Sequence, residues 1–363
     1  MSNFNSYIDP HSNEKLLPSN QNELITVSDS KSFPIINNIP RFVSKEFYEQ
    51  ENQNPHSLKD KESQTASSFG NKWQDKTFAN DGVNNEFARN RLLEQFLAML
   101  GLQSESDLIN LLGRSTKTLN GGCGVAWSEY LFNPNLNCER HCIDISLAVE
   151  AAYKNTKHLP NVTISQASIL EIPYPEEFFD IVYSAGVVHH TPNPKKATQE
   201  LGKRVKKGGI LGIYIYNKKP FLREMTDHKL RDITTKMSFE ECLDFSNKIS
   251  LLGKSLQNLT DKDLIIEKDI PLLDIKAGTY KIQQFFYDHF IKCWYNENLP
   301  IEYSDLCNLD WYHPEYASHH DKDEVVSWFK EIGFNNIQCI QPSGWEYSGC
   351  FISGKRTDVT PKD

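Results

Sequence analysis

Between residues 115 and 216 short apolar runs alternate with helical stretches, and this rhythm limits the fold more than any other feature of the chain. Residues 117–119, 141–144, 162–164, 179–184 and 209–216 read as five strands, the last nearly all apolar. Helices are expected between them, one entered at Ser146 and one over 194–205. Strands that are apolar on both sides need cover on both sides, so the pattern predicts a parallel sheet with helices on each face. Ahead of it, Phe87, Leu92, Leu93, Phe96, Leu97 and Leu100 recur at helical spacing and predict a helix over 86–100 stopped by Gly101.

The turn after the first of these strands reads Asn120-Gly121-Gly122-Cys123-Gly124-Val125-Ala126. Glycine at a strand-to-helix turn lets backbone come close to a ligand that side chains would push away. Such a loop serves any nucleotide-like ligand, so alone it is a weak signal. Asp144, about twenty residues on, ends the next strand, where an acid in doubly wound folds accepts hydrogen bonds from ribose hydroxyls. His189 and His190 follow the fourth strand, at the sheet edge where ligands of open α/β folds collect. A histidine there has the near-neutral pKa of a general base, although shaping a pocket is the plainer role.

The rest of the chain is organised around this core. Residues 1–50 are expected as a small β segment, with strands near Leu24 and Phe33, and 51–80, rich in Asn, Ser, Gln and Lys, as a linker or disordered stretch. The core runs over 81–217 and is interrupted by an aromatic-rich helical insertion over 218–320. A helix at 322–332 and strands at 336–340 and 348–353 complete the core over 321–355, the two strands forming a hairpin around Pro342-Ser343-Gly344.

Composition narrows the function classes. Of 363 residues 39% are apolar, enough for a packed core, and the formal net charge is -9. An acidic balance argues against a reader of nucleic-acid backbone, which needs a basic face. No run is long and apolar enough for a membrane span, and residues 1–20 lack the apolar centre of a signal peptide, so the cytoplasm is the expected location. None of the eight cysteines lies in a C-x-x-C pair; they are expected as free thiols, and no metal is expected. His313, His319 and His320 with Asp310 and Asp321 lack the tight spacing of a ligand set.

Taken in order, Asn120 to Ala126, Asp144, Phe179-Asp180-Ile181-Val182, Val188-His189-His190 and Lys207-Gly208-Gly209 resemble the class I S-adenosylmethionine (SAM)-dependent methyltransferases. The resemblance extends through Asp310 to Tyr316 and the 324–329 helix, as in a subgroup with a helical insertion. Pro34 to Pro40 is similar to the end of a zinc-ribbon-like segment found at the start of some such enzymes, here without its cysteines. The resemblance implies a Rossmann-like α/β fold: a mostly parallel sheet closed by an antiparallel hairpin, helices on both faces, a helical insertion and a small N-terminal β segment. It implies SAM as cofactor, held by Asn120, Gly121, Gly122, Cys123, Gly124, Asp144, Ile145, Ser168, Ile169 and Ser184, with His189 and His190 as catalytic candidates. Three positions depart from the family pattern: Asn120 stands for the usual loop acid, Ala126 for the last glycine, and Ser168 for a common Asp near the adenine.

The expected activity is methyl transfer to a small-molecule acceptor. Two alternatives stay open on the sequence. One is a pseudoenzyme of the same fold that binds or activates a partner protein. The other is a nicotinamide dehydrogenase, which would lack a last strand inserted antiparallel in the sheet.

Overall fold

The computed structural model describes residues 4–20, 22–49, 60–74, 85–114, 117–131, 137–259, 263–341 and 348–357. At the N-terminus β1 (Leu17–Asn20), β2 (Glu23–Ile25), β3 (Ser32–Ile36) and β4 (Ile39–Pro40) form an antiparallel meander. Its apolar side chains are not a separate core. Tyr7, Leu24, Phe33 and Phe42 pack in one cluster with Leu119 and Tyr174 of the main body. Arg41 ties it to the sheet edge, donating to the Gln166 side chain at 3.0 Å and pairing with Glu150.

The segment expected as a linker departs from that expectation. Within 51–80 the structure holds α1 (Lys61–Gln74); 51–59 and 75–80 lie outside the described residues. The Asp60 carboxylate accepts the Ser63 N–H at 2.8 Å and opens this helix. Helix α1 carries only a short apolar stripe, Ala66, Phe69 and Trp73, and most of its buried side chains are polar: Ser63, Gln64, Thr65, Ser68 and Lys72. Then come α2 (Glu86–Leu100), ended by Gly101 as expected, and α3 (Glu105–Arg114).

The core sheet has seven strands: β5 (Lys117–Gly121), β6 (Glu139–Asp144), β7 (Val162–Gln166), β8 (Phe179–Ala185), β9 (Val205–Tyr216), β12 (Phe334–Ile340) and β13 (Gly349–Arg356). Their spatial order is β12-β13-β9-β8-β5-β6-β7. The five strands expected from the 115–216 rhythm are the parallel ones, and β13 slots antiparallel between β9 and β12. That insertion removes the dehydrogenase alternative. The sheet is covered on both faces as expected, by α5 (Pro194–Lys203) and α10 (Lys322–Glu331) on one side and by α2 and α3 on the other. Along β8 the period of two is explicit: Val182 joins one core, Ile181 and Tyr183 the other. Helix α4 (Ala148–Thr156) links β6 to β7, with Ser146 Oγ accepting the Ala148 N–H at 3.2 Å.

The insertion is mainly helical, with α6 (Phe221–Thr234), α7 (Phe239–Gln257), α8 (Ile282–His289) and α9 (Ile301–Tyr312) around their own core of Ile249, Tyr287, Leu306, Leu309 and Tyr312. A short hairpin, β10 (Asp263–Ile266) with β11 (Gly278–Lys281), was not expected. The cysteine expectation needs one correction. Cys339 on β12 and Cys350 on β13 are joined as a disulfide, because the antiparallel register carries residues 11 apart in sequence to adjacent strands. The other six are free. No helix of the described residues is long and apolar enough to cross a membrane.

Candidate active site

The C-terminal ends of β5, β6 and β8 open into a cavity of about 310 Å³. Its floor is the glycine loop. Gly122 and Gly124 adopt left-handed φ of 79° and 52°, which glycine takes without steric cost. A methyl group at Gly122 would overlap the Val187 side chain, and one at Gly124 would lie 3.0 Å from the Trp73 indole. Ala126 is also left-handed at φ 59°, a strained state for a residue with a Cβ. The N–H groups of Gly122 and Cys123 serve the Ile143 carbonyl at 2.8 and 2.9 Å. The loop therefore offers a ligand close approach more than free donors.

Asp144 closes the loop. Its Oδ2 accepts the Gly124 N–H at 2.9 Å, and its Oδ1 accepts the N–H and hydroxyl of Ser146 at 2.9 and 2.6 Å. Burial raises its carboxyl pKa, and these three donors oppose the rise. A carboxylate has about four lone-pair sites, so one acceptor position is left for a ligand hydroxyl.

Of the residues expected to hold a cofactor, Gly122, Cys123, Gly124, Asp144, Ile145, Ser168 and Ile169 line the cavity. Ser168 Oγ accepts the Leu170 N–H at 3.1 Å, which fixes the turn after β7. Asn120, Gly121 and Ser184 sit behind the loop. Ser184 donates to the Gly121 carbonyl at 2.7 Å and holds β5 to β8. Asn120 donates to Ser128 Oγ at 2.9 Å, within a buried network around Glu129. Glu129 accepts the Tyr183 hydroxyl at 2.8 Å and lies 3.8 Å from Arg140 Nε, and burial raises its carboxyl pKa. An acid at position 120 would put a second carboxylate into this network, which gives a physical reason for the amide.

The two histidines part company. His189 is fully buried, stacked 3.7 Å from the Tyr216 ring, and does not line the cavity. His190 does line it. Its Nδ1–H donates to the Tyr316 carbonyl at 2.6 Å, since a carbonyl can only accept, and this leaves Nε2 with its lone pair. Burial pulls the His190 pKa down to about 3 and that of His189 well below the ordinary value, so both rings are neutral at physiological pH.

The upper walls come from α1 and the insertion, and sequence reasoning missed the first of these. Trp73 and Lys72 on α1 reach the cavity, where Lys72 pairs with Asp310 of α9. Helix α1 is latched to the segment after α9: Gln64 Oε1 accepts the Glu315 N–H at 2.9 Å, Thr65 Oγ1 accepts the Tyr316 N–H at 3.2 Å, and Ser68 Oγ meets His313 Nδ1 at 2.7 Å. The signal that could have found α1 is the Asp60 cap followed by Ser and Thr at helical spacing. Tyr214, Tyr216, Tyr287, Trp294, Tyr303 and Trp311 make the far wall aromatic. His313, His319 and His320 serve separate partners, Ser68, Glu224 and Ser318. Among the described residues no group of three or more His, Cys, Asp or Glu side chains is placed to hold a metal ion.

Residues 119–213 match the family described as a methyltransferase domain. The chain is 31% identical over 110 residues to an uncharacterised protein of a Synechococcus strain, covering 29% of this chain and 26% of that protein. It is 26% identical over 125 residues to the uncharacterised methyltransferase YcgJ of Bacillus subtilis, covering 32% and 48%. The chain thus spans less than half the length of these curated relatives. Among solved structures it is similar to the N-methyltransferase NodS of Bradyrhizobium japonicum in complex with S-adenosyl-L-homocysteine (13% identity, 82% and 99% covered, TM-score 0.41). It is also similar to an O-methyltransferase family protein of Burkholderia thailandensis (9% identity, 80% and 63% covered, TM-score 0.42).

Proposed function

We propose, from the premise that this chain carries a class I SAM-dependent methyltransferase domain, that it transfers a methyl group from SAM to a small-molecule acceptor in the cytoplasm. The observation that carries the reading is the junction of Asp144 and the glycine loop, where a carboxylate with one free acceptor position adjoins backbone too close to its neighbours for side chains. SAM supplies a methyl group made electrophilic by a sulfonium, so the protein needs to align a nucleophile and exclude water.

Each part of the cavity has a role in this reading. Gly122 and Gly124 admit the ligand against the backbone. Asp144 accepts from one ribose hydroxyl at its remaining acceptor position. Ser168, Ile169 and Ile145 flank the adenine. The amino-acid end, a zwitterion, is received by Lys72 and Asp310, an ion pair of matching character that takes over from the uncharged Asn120. His190 Nε2 accepts a proton from the acceptor when its nucleophile carries one. His189 is a positioning residue, stacked behind Tyr216. Enclosure by α1 and the aromatic insertion supports a small acceptor, as does the net charge of -9, which disfavours nucleic acid.

Calorimetry with SAM and with its demethylated product S-adenosylhomocysteine (SAH) tests the reading. Saturable one-site binding of both is expected, and no detectable heat at millimolar ligand would end it. Binding of SAM without turnover across a broad acceptor panel would favour the pseudoenzyme alternative.

A further inference from the structure

We infer that the acceptor carries an anionic oxygen group, a carboxylate or a phosphate, bound by Lys292, with a flat apolar body lying against the aromatic wall; this rests on the methyl-transfer reading.

The partners of the charged groups inside the cavity point this way. Its ionisable lining falls into two ends. At the cofactor end Asp144 is committed to Gly124 and Ser146. Glu62, on α1, also lines the cavity. At the insertion end the lining holds Lys72, Arg91, Lys292 and one acid, Asp310. Asp310 is paired with Lys72. Lys292 is half-buried, and among the described residues no carboxylate lies within ion-pair distance of it. Its Nζ sits 5.0 Å from the Trp311 ring and 5.3 Å from the Tyr287 ring, with the Tyr287 hydroxyl at 3.4 Å.

The same rings would suit an ammonium ligand if they were vacant, since cations sit over aromatic faces. Here that place is held by the protein's own ammonium. Lys219 and Arg223 also lie 5.0 and 5.2 Å from the Trp311 ring. A cationic acceptor there would meet the like charge of Lys292. An oxyanion would gain a charge-assisted hydrogen bond in a water-poor setting. Trp294 and Tyr303, which share this wall, offer faces for the rest of an unsaturated or aromatic acceptor.

The test uses the full chain saturated with SAH and titrates four probes by calorimetry: benzoate, phenyl phosphate, benzamide and benzylamine. Benzoate, phenyl phosphate or both are expected to bind about tenfold or more tightly than benzamide, with benzylamine weakest. The better of the two identifies the source of the oxyanion. Lys292→Gln is expected to erase the preference for the anion, and Lys292→Arg to keep most of it. Benzamide or benzylamine binding as well as the anions, an unchanged preference in Lys292→Gln, or no binding of any probe overturns the inference. SAH binding is measured first and separately, so its absence would count against the methyl-transfer reading instead.

Discussion

Lys72 and Asp310, 238 residues apart in the chain, form an ion pair inside the cavity. Lys72 Nζ also lies 4.3 Å from the Trp73 ring, and Trp73 in turn packs on Gly124 of the glycine loop. The pair thus joins the earliest helix of the cavity wall to the insertion, beside the loop that would hold the cofactor. If it receives the amino-acid end of SAM, Lys72→Met and Asp310→Asn weaken SAH binding about tenfold to a hundredfold. Binding of 5′-methylthioadenosine, which lacks that end, stays within about twofold of wild type on the same principle. Calorimetry with both ligands decides. Equal losses for both would show that the pair only holds the wall in place.

How this wall escaped the sequence is a matter of period. The strands announced themselves because a strand buried on both faces reads as a continuous apolar run, as β8 does at Ile181, Val182 and Tyr183. Helix α2 was equally plain from its leucines and phenylalanines. Helix α1 is buried through hydrogen bonds. Gln64, Thr65 and Ser68 find partners at 313–316, and no local pattern states who those partners are. The same holds in the site. Asp144 was legible because one strand end fixes its direction, whereas Asn120 turns away from the cavity to Ser128 for reasons that lie in the Glu129 network. His189 and His190 were indistinguishable in sequence, and only the stacking on Tyr216 and the bond to Tyr316 separate them.

Gly122→Ala tests the floor of the cavity. The new methyl would overlap Val187, and the left-handed φ of 79° would strain any residue with a Cβ. Together these cost about 2–4 kcal/mol, a loss to be read from thermal unfolding. Pairing the change with Val187→Ala removes the two closest contacts, with the Val187 γ-methyls, but leaves its Cβ 2.8 Å away and φ untouched, so roughly half or more of the loss is expected to remain. Full recovery in the double variant would assign the whole effect to crowding.

Asn120→Asp restores the acid of the family pattern and is expected to harm the fold. It would stand beside Glu129, whose carboxyl burial already pushes upward. Two buried acids cannot both ionise without large cost, so the variant loses about 2–4 kcal/mol at pH 7. A carboxyl whose folded pKa lies above its unfolded value is penalised once the unfolded chain ionises. The gap between variant and wild type therefore widens as pH rises from about 4 toward 7 and closes as pH falls. Denaturant unfolding at pH 5 and pH 8 measures it, and a gap independent of pH would contradict a charge origin.

His190 gives the opposite sign. Its folded pKa of about 3 lies below the unfolded value near 6.5, so between those limits the unfolded chain binds more protons. Its contribution to stability is complete above about pH 6.5 and is lost as pH falls toward 3. At pH 5 the loss is about 2 kcal/mol, and His190→Gln removes it, flattening the acid side of the stability profile. The same variant separates the chemical role. With Nδ1–H fixed on the Tyr316 carbonyl, Nε2 is the acceptor of the ring. If it takes the acceptor's proton, kcat falls about a hundredfold or more while SAH affinity holds. The wild-type rate profile then shows no histidine inflection between pH 5 and 8, because the ring stays neutral throughout. An unchanged kcat would reduce His190 to a wall of the cavity, and an inflection near pH 6.5 that vanishes in His190→Gln would mean that the bound state opens this ring to water.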